Sequence, residues 1–193
     1  GPVVNGFTSW VKSDFIPQYE FPGVSAELKG FDGSFFSMRF LSKASNRGGI
    51  IERLTVLADS YDQWISDTLG KDEKMANPAF CAEVGDDVIV KCWKALSRIR
   101  EGIALIGSDE TAWDAFCFMN RVMLLQRNIM SFSKKHAVNK ECNLGDFVDP
   151  RKPENYFGWR PFQIAFILMN LNGIVNPQHE DREVVDLLYF PTG

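Results

Sequence analysis

The spacing of apolar residues changes character along the chain. From Ile50 they recur every three or four positions: Ile50/Ile51, Leu54, Leu57/Ala58, Tyr61, Trp64/Ile65 and Leu69. That spacing predicts an amphipathic helix, ended by Gly70. Asn77-Pro78 marks a loop. A second helix carries Val88/Ile89, Cys92, Ala95/Leu96, Ile99, Ile103 and Ile106 and stops near Gly107. Ser108 or Asp109 is placed to cap a third, with Glu110 and Asp114 near its positive end. This third helix shows two apolar seams. One is Trp113, Phe116/Cys117, Met123/Leu124; the other is Phe118, Val122, Leu125, Ile129, Phe132. Two seams predict a central helix with neighbours on both sides, so Phe118, Val122, Leu125 and Ile129 are expected in the core. Residues 47–137 therefore read as an antiparallel helical unit with short connections.

The flanks read differently. Residues 1–46 are rich in Gly and Phe and form an extended N-terminal arm, with Trp10, Phe15 and Phe21 packed on something larger. Within it, Asp32-Gly33 lies between Leu28/Phe31 and Phe35/Phe36/Met38/Phe40, a hairpin signal. Residues 138–158 form a polar linker holding Pro150, Pro153 and Gly158. Trp159-Arg160-Pro161-Phe162-Gln163 then opens a fourth helix through about Leu171. Pro161 suits the first helical turn, and Gly173 is the expected terminator. Val184–Phe190 is a final apolar strand.

The composition narrows the classes. A chain of 193 residues with 45% hydrophobic and 24% charged residues reads as one ordinary globular domain. The net charge of −4 argues against a dominant basic face for nucleic acid. Cys81, Cys92, Cys117 and Cys142 contain no CxxC pair and read as reduced thiols of a cytoplasmic protein. Neither a signal peptide nor an apolar run of about 18 residues is present.

Candidate chemistry gathers at the C-terminal end. Val184–Phe190 feeds Pro191-Thr192-Gly193. An apolar β-branched run leading to a Gly-bearing turn is how a phosphate loop begins, because a buried strand delivers backbone N–H groups to the phosphates. The second Gly, the Lys and the Ser/Thr of such a loop do not follow, so the chain reads as a fragment ending inside the loop. The other polar groups read more plainly. His179 is expected in a solvated loop. Lys134-Lys135-His136 and Lys140 are expected to cap a helix end rather than bind DNA phosphates. Asp86-Asp87 and Glu180-Asp181 lack metal-ligand spacing.

Two of these elements stand in a telling order: Arg160-Pro161-Phe162-Gln163 at a helix start, then Phe190-Pro191-Thr192-Gly193. The order resembles that of superfamily 2 helicases, where an R-P-x-Q element precedes motif I. W-R-P-F-Q-I-A-F-I-L-M-N-L, N-P-Q-H-E-D-R, V-D-L-L-Y-F-P-T-G and the earlier A-F-C-F-M-N-R-V-M-L-L-Q together resemble a narrower family. That family is the helicase-related subunit of the DISARM anti-phage defence system, DrmA. The resemblance covers about residues 85–193 and is weak before residue 80. It implies an ATP-dependent DNA helicase or translocase acting with a DrmB-type partner subunit, with ATP and Mg²⁺ as cofactors of the parent protein and none in this chain alone. It implies that Gln163 reads adenine, that Arg160 orients the helix or approaches the nucleotide, and that Thr192 and Gly193 begin the phosphate cradle. A carboxamide has the chemistry for the first role, since it can donate to N7 and accept from N6–H₂. The sequence departs from the common pattern at Phe190, where Gly or Ala is usual.

The expected fold class is therefore mainly α: an aromatic N-terminal arm with a hairpin, an antiparallel helical unit, and the first helix and strand of a RecA-like core. The domain boundaries expected are 1–46, 47–137, 138–158 and 159–193. The helical unit would precede the motor and guide DNA or dock a partner. The alternative is a free-standing helical protein-interaction module without motor activity.

Overall fold

The computed structural model describes residues 3–4, 7–8, 30–69, 78–149, 151 and 157–186. The chain divides into two units. One spans Ala26–Asp186. Of the other, only a small antiparallel hairpin lies among the described residues: β1 (Val3–Val4) pairs with β2 (Phe7–Thr8), Val3 opposite Thr8 and Val4 opposite Phe7. The dipeptide between these strands in sequence is Asn5-Gly6, the strongest short-range hairpin signal.

The larger unit is helical. In chain order come α1 (Met38–Leu41), a 3₁₀ turn (Ala44–Asn46), α2 (Arg47–Trp64), a π-helical turn (Ile65–Leu69), α3 (Pro78–Ser108), α4 (Glu110–Val138), α5 (Gly145–Val148), α6 (Pro161–Val175) and a 3₁₀ turn (Glu180–Glu183). The helix-forming spacing does what helical geometry requires. Ile50, Leu54, Leu57 and Ala58 of α2 are buried against Leu96, Ile99, Ile103 and Ile106 of α3 in one core. These two helices run antiparallel: Arg47, at the start of α2, bonds the Ile106 and Asp109 carbonyls near the end of α3. Further along α2, Asp59 and Asp62 pair with Arg100, earlier in α3. A single non-helical residue, Asp109, joins α3 to α4, and its carboxylate accepts the Ala112 N–H at 2.7 Å as the N-cap.

Helix α6 lies directly on α3. A Cβ at Gly102 would sit 2.1 Å from the Leu168 carbonyl oxygen, so only glycine permits this approach. Pro161, Ile164 and Leu168 are the buried face of α6. The start of α6 is fixed by a second, non-helical contact. Ser37 and Gly158 form an antiparallel bridge, with Met38 N–H bonding the Phe157 carbonyl (2.9 Å) and Trp159 N–H bonding the Phe36 carbonyl (3.0 Å).

Several sequence expectations change here. The Asp32-Gly33 hairpin does not form. Asp32 Oδ1 takes both the N–H and the hydroxyl of Ser34 (2.8 and 2.7 Å), closing a local turn, and the chain enters α1. Among the described residues, the segment after the turn finds its partner at Gly158, far away in sequence. Pro78 opens α3 rather than sitting in a loop. Gly173 does not end α6, which continues to Val175; the residue has no positive φ, and its carbonyl accepts from Arg182 Nη1 at 2.8 Å.

The largest correction concerns α4. Its first seam is core: Trp113, Phe116, Cys117 and Leu124 are buried, with Asn120 and Asn128 among them. Its second is not. Phe118 is 67% exposed, and Val122, Leu125 and Ile129 are exposed as well. Helix α4 packs on α1, α3 and α5, and the last residue of the second seam, half-buried Phe132, meets the Phe147 ring of α5. Residues 118, 122, 125 and 129 lie away from the Trp113/Phe116 side on the helical wheel. Spacing reveals an apolar stripe but not whether anything covers it.

These differences set distinct costs. Phe116→Ala should destabilise the protein by about 3–5 kcal/mol, whereas Leu125→Ala should stay within about 0.5 kcal/mol. Urea unfolding of the two variants checks this, and equal losses would mean that the stripe is covered. For Gly102→Ala, the gain in helix propensity of about 1 kcal/mol is outweighed by the clash with Leu168, since overpacking costs about 1–3 kcal/mol or more. We expect a lower melting temperature; an unchanged or higher one would refute the close helix contact.

Candidate functional site

The first turn of α6 carries two of the four residues singled out by sequence. Arg160 is the N-cap and Gln163 the third helical residue; both are exposed, one turn apart. Pro161 at the first helical position is buried and has no N–H to leave unsatisfied. The Gln163 carboxamide reaches back: Oε1 accepts the Arg160 N–H at 3.0 Å, while Gln163 N–H bonds the Arg160 carbonyl at 2.9 Å. This is the N3 half of a capping box. An amide oxygen has two lone pairs and its nitrogen two protons, so Gln163 keeps one acceptor site and both donors for a ligand.

Just before α6, Trp159 donates its indole N–H to Asn120 Oδ1 at 2.7 Å, and Asn120 Nδ2 donates to the Phe116 carbonyl at 2.9 Å. Asn120 is completely buried. The turn that presents Arg160 and Gln163 is thus bolted to α4 through a satisfied polar contact in a closed core, the kind of link that fixes one geometry.

After α6 the chain is held by charge. Arg98 of α3 is 6% exposed. Its Nη1 and Nη2 bond Asp186 Oδ1 and Oδ2, each at 2.9 Å, and its Nε lies 2.9 Å from Asp181 Oδ2. Asp181 is itself buried at the 3₁₀ turn, where His179 Nδ1 accepts its N–H at 3.2 Å. The paired hydrogen bonds from Arg98 hold the Asp186 carboxyl below the ordinary Asp range, against the opposing effect of burial. The same bonds raise the Arg98 guanidinium further. The sequence reading missed this cluster. Its visible signal was Asp186, one charge interrupting an otherwise apolar run.

Of the predicted strand Val184–Phe190, residues 184–186 are described and belong to no ladder; Val184 is extended. Thr192 and Gly193 lie outside the described residues. The structure thus brings Arg160 and Gln163 together and gives no position for the other two. His179 is half-buried at the 3₁₀ turn and engaged with Asp181. Lys135 lies over the Phe147 ring, and His136 stacks on Phe132 with its Nδ1 3.7 Å from the Cys142 sulfur. Cys92, Cys117 and Cys142 are free thiols. No three His, Cys, Asp or Glu side chains among the described residues are grouped to hold a metal, and no helix among them is long and apolar enough to cross a membrane. A shallow depression of about 420 Å³ on α3, lined by Trp93, Leu96, Ser97, Arg100, Glu101 and Ala104, includes neither Arg160 nor Gln163.

The described residues define a mainly helical protein, and no family model matches the chain. Over 98% of its length the chain is 36% identical to "DISARM protein DrmA" of Bacillus paralicheniformis (strain ATCC 9945a / NCIMB 11709 / CD-2). The chain is thus similar in sequence to a DISARM protein. It spans 16% of that relative's length.

The ion cluster gives a pH expectation. The folded pKa of Asp186 lies below its unfolded value. Its stabilisation is therefore present above the unfolded value of about 3.9 and is lost as pH falls through the depressed folded one. Acid unfolding followed by circular dichroism should steepen below pH about 4, and Asp186→Asn should flatten that limb. An identical acid limb in the variant would show that the pair contributes nothing.

Proposed function

We propose that this chain belongs to an ATP-dependent superfamily 2 DNA helicase or translocase of bacterial anti-phage defence. In this reading the protein is cytoplasmic and acts with a DrmB-type partner subunit. The observation that carries it is the Arg160-Pro161-Phe162-Gln163 turn, with Arg160 and Gln163 exposed at the start of α6, followed in sequence by Phe190-Pro191-Thr192-Gly193. The DISARM relationship supports it. Gln163 would read adenine, Arg160 would face the nucleotide, and Thr192 and Gly193 would open the phosphate cradle. ATP and Mg²⁺ would be the cofactors of the full-length protein, completed by residues beyond this chain. Helices α2–α4 would guide DNA or dock a partner.

A second reading has its own observation. The exposed apolar stripe Phe118, Val122, Leu125 and Ile129 is the kind of surface a protein-interaction module presents. If no motor activity exists, docking through this stripe is the function that remains.

Gln163→Glu tests the first reading cleanly. A Glu can still accept the Arg160 N–H, so the cap survives, but its carboxylate cannot donate to adenine N7. Losing a bidentate base contact is worth about 1–3 kcal/mol, roughly a 5- to 150-fold weakening of ATP affinity. Turnover at saturating ATP should fall much less, because adenine contacts bind ground and transition states alike. Steady-state kinetics of the full-length protein with ATP and GTP should show wild type preferring ATP and the variant losing that preference. An unchanged KM for ATP and unchanged selectivity would leave Gln163 as a helix cap only.

A further inference from the structure

The exposed stripe on α4 keeps a stricter period than a surface helix needs. Ala115, Phe118, Val122, Leu125, Ile129 and Phe132 follow one another at alternating steps of three and four. That is the repeat of a coiled-coil seam, narrower than the band by which a helix lies on a globular core. The first five are exposed, while Phe132 is half-buried where Phe147 of α5 borders the seam. The opposite side of α4 is already used, by Trp113, Phe116 and Asn120 in the core. The stripe therefore faces outward on a helix held from behind.

We propose that this stripe joins two copies of the chain, α4 against α4, in an antiparallel two-fold pair. The proposal names a partner for the docking role in the second reading above and rests on that reading. Two features of the stripe favour its own reversed copy. The first is volume. About a two-fold axis, Ala115 falls opposite Phe132, Phe118 opposite Ile129 and Val122 opposite Leu125, so each layer pairs a larger side chain with a smaller one. A parallel copy would set Ala115 against itself and Phe118 against itself, a gap next to a crowded layer. The second is charge. Asp114 and Lys135 are both exposed and flank the seam on the same edge, near its two ends, with Lys135 lying over the Phe147 ring. Reversal brings each opposite the other, twice by symmetry; a parallel copy would bring neither together. The seam is about 25 Å long, less than a permanent interface needs. The pair is therefore reversible, a dimer at high concentration and a monomer on dilution.

Sedimentation velocity of the full-length protein at rising concentration tests this, with melting temperature as a control for folding. Wild type should pass from monomer to dimer. Leu125→Glu places an unpaired charge at the centre of the seam and should weaken association at least about tenfold. Asp114→Lys and Lys135→Asp each set like charges face to face and should weaken it about two- to tenfold. The double swap should restore it to within about twofold. Both swaps oppose the α4 dipole, so a merely structural effect would add up in the double variant instead of cancelling. A dimer that survives Leu125→Glu, or a double swap that restores nothing, would overturn the proposal. If Leu125→Glu does not fold, the swap variants decide by the same rule. A wild type that stays monomeric throughout would also overturn it, and maleimide labelling of Leu125→Cys, read by peptide mass spectrometry, then tests the docking reading by itself. Rapid labelling would leave the stripe open to a different partner. Labelling as slow as at the buried Cys117 would mean that the rest of the polypeptide covers the stripe, and the docking reading would fall as well.

Discussion

Helices α3 and α6 meet backbone to backbone at Gly102, and most of what can be said about function depends on that approach. No side chain stands between the α3 backbone and the Leu168 carbonyl. The distance is set by the absence of a Cβ, not by a compressible side-chain layer, so the relative height of the two helices is closely defined. Everything carried by α6 inherits this definition. The exposed turn with Arg160 and Gln163 is held from below by Ile164 and Leu168 and from the side by the Trp159–Asn120 bond. A site built on such a rigid element can be accurate without any contribution from its own loops.

The polar contacts in this core have separate tasks. Trp159 and Asn120 bring the connection before α6 onto α4. Arg47 ties the start of α2 to the α3–α4 corner, through the Ile106 and Asp109 carbonyls and Glu110, and lies over the Trp113 ring. Arg98 gathers the two acids that follow α6. Such contacts add little net stability compared with apolar burial, because desolvation offsets most of their attraction. Their value here is direction: each accepts one arrangement of its partners and leaves an unpaired polar group in any other.

In the proposed function, Gln163 would serve stability and recognition together. Its oxygen closes the first turn of α6, which orients the carboxamide before any ligand arrives. A pre-oriented group loses less rotamer freedom on binding. In the proposed reading, the capping bond is part of what would make adenine recognition efficient, and the donor protons remain available for it.

The sequence by itself determined what depends on neighbours along the chain. Periodicity located helices α2, α3, α4 and α6, because a helix places residues three and four apart on one side whatever surrounds it. Asp109 and Pro161 marked helix starts, because capping and a fixed φ are local effects. The R-P-x-Q turn was legible for the same reason. The resemblance to a DISARM protein was legible too, since it rests on residue order. Tertiary structure decided what depends on partners far away in sequence. It buried the Trp113/Phe116 seam of α4 and left the equally apolar Phe118/Leu125 stripe in solvent. It paired residue 37 with residue 158 where a local hairpin was expected, and it gave Gly173 an interior place in α6. It made Arg98, an unremarked charge on a helix, the partner of two acids more than eighty residues away. Local pattern fixes which face of an element is apolar. Only packing determines which face is covered, and by what.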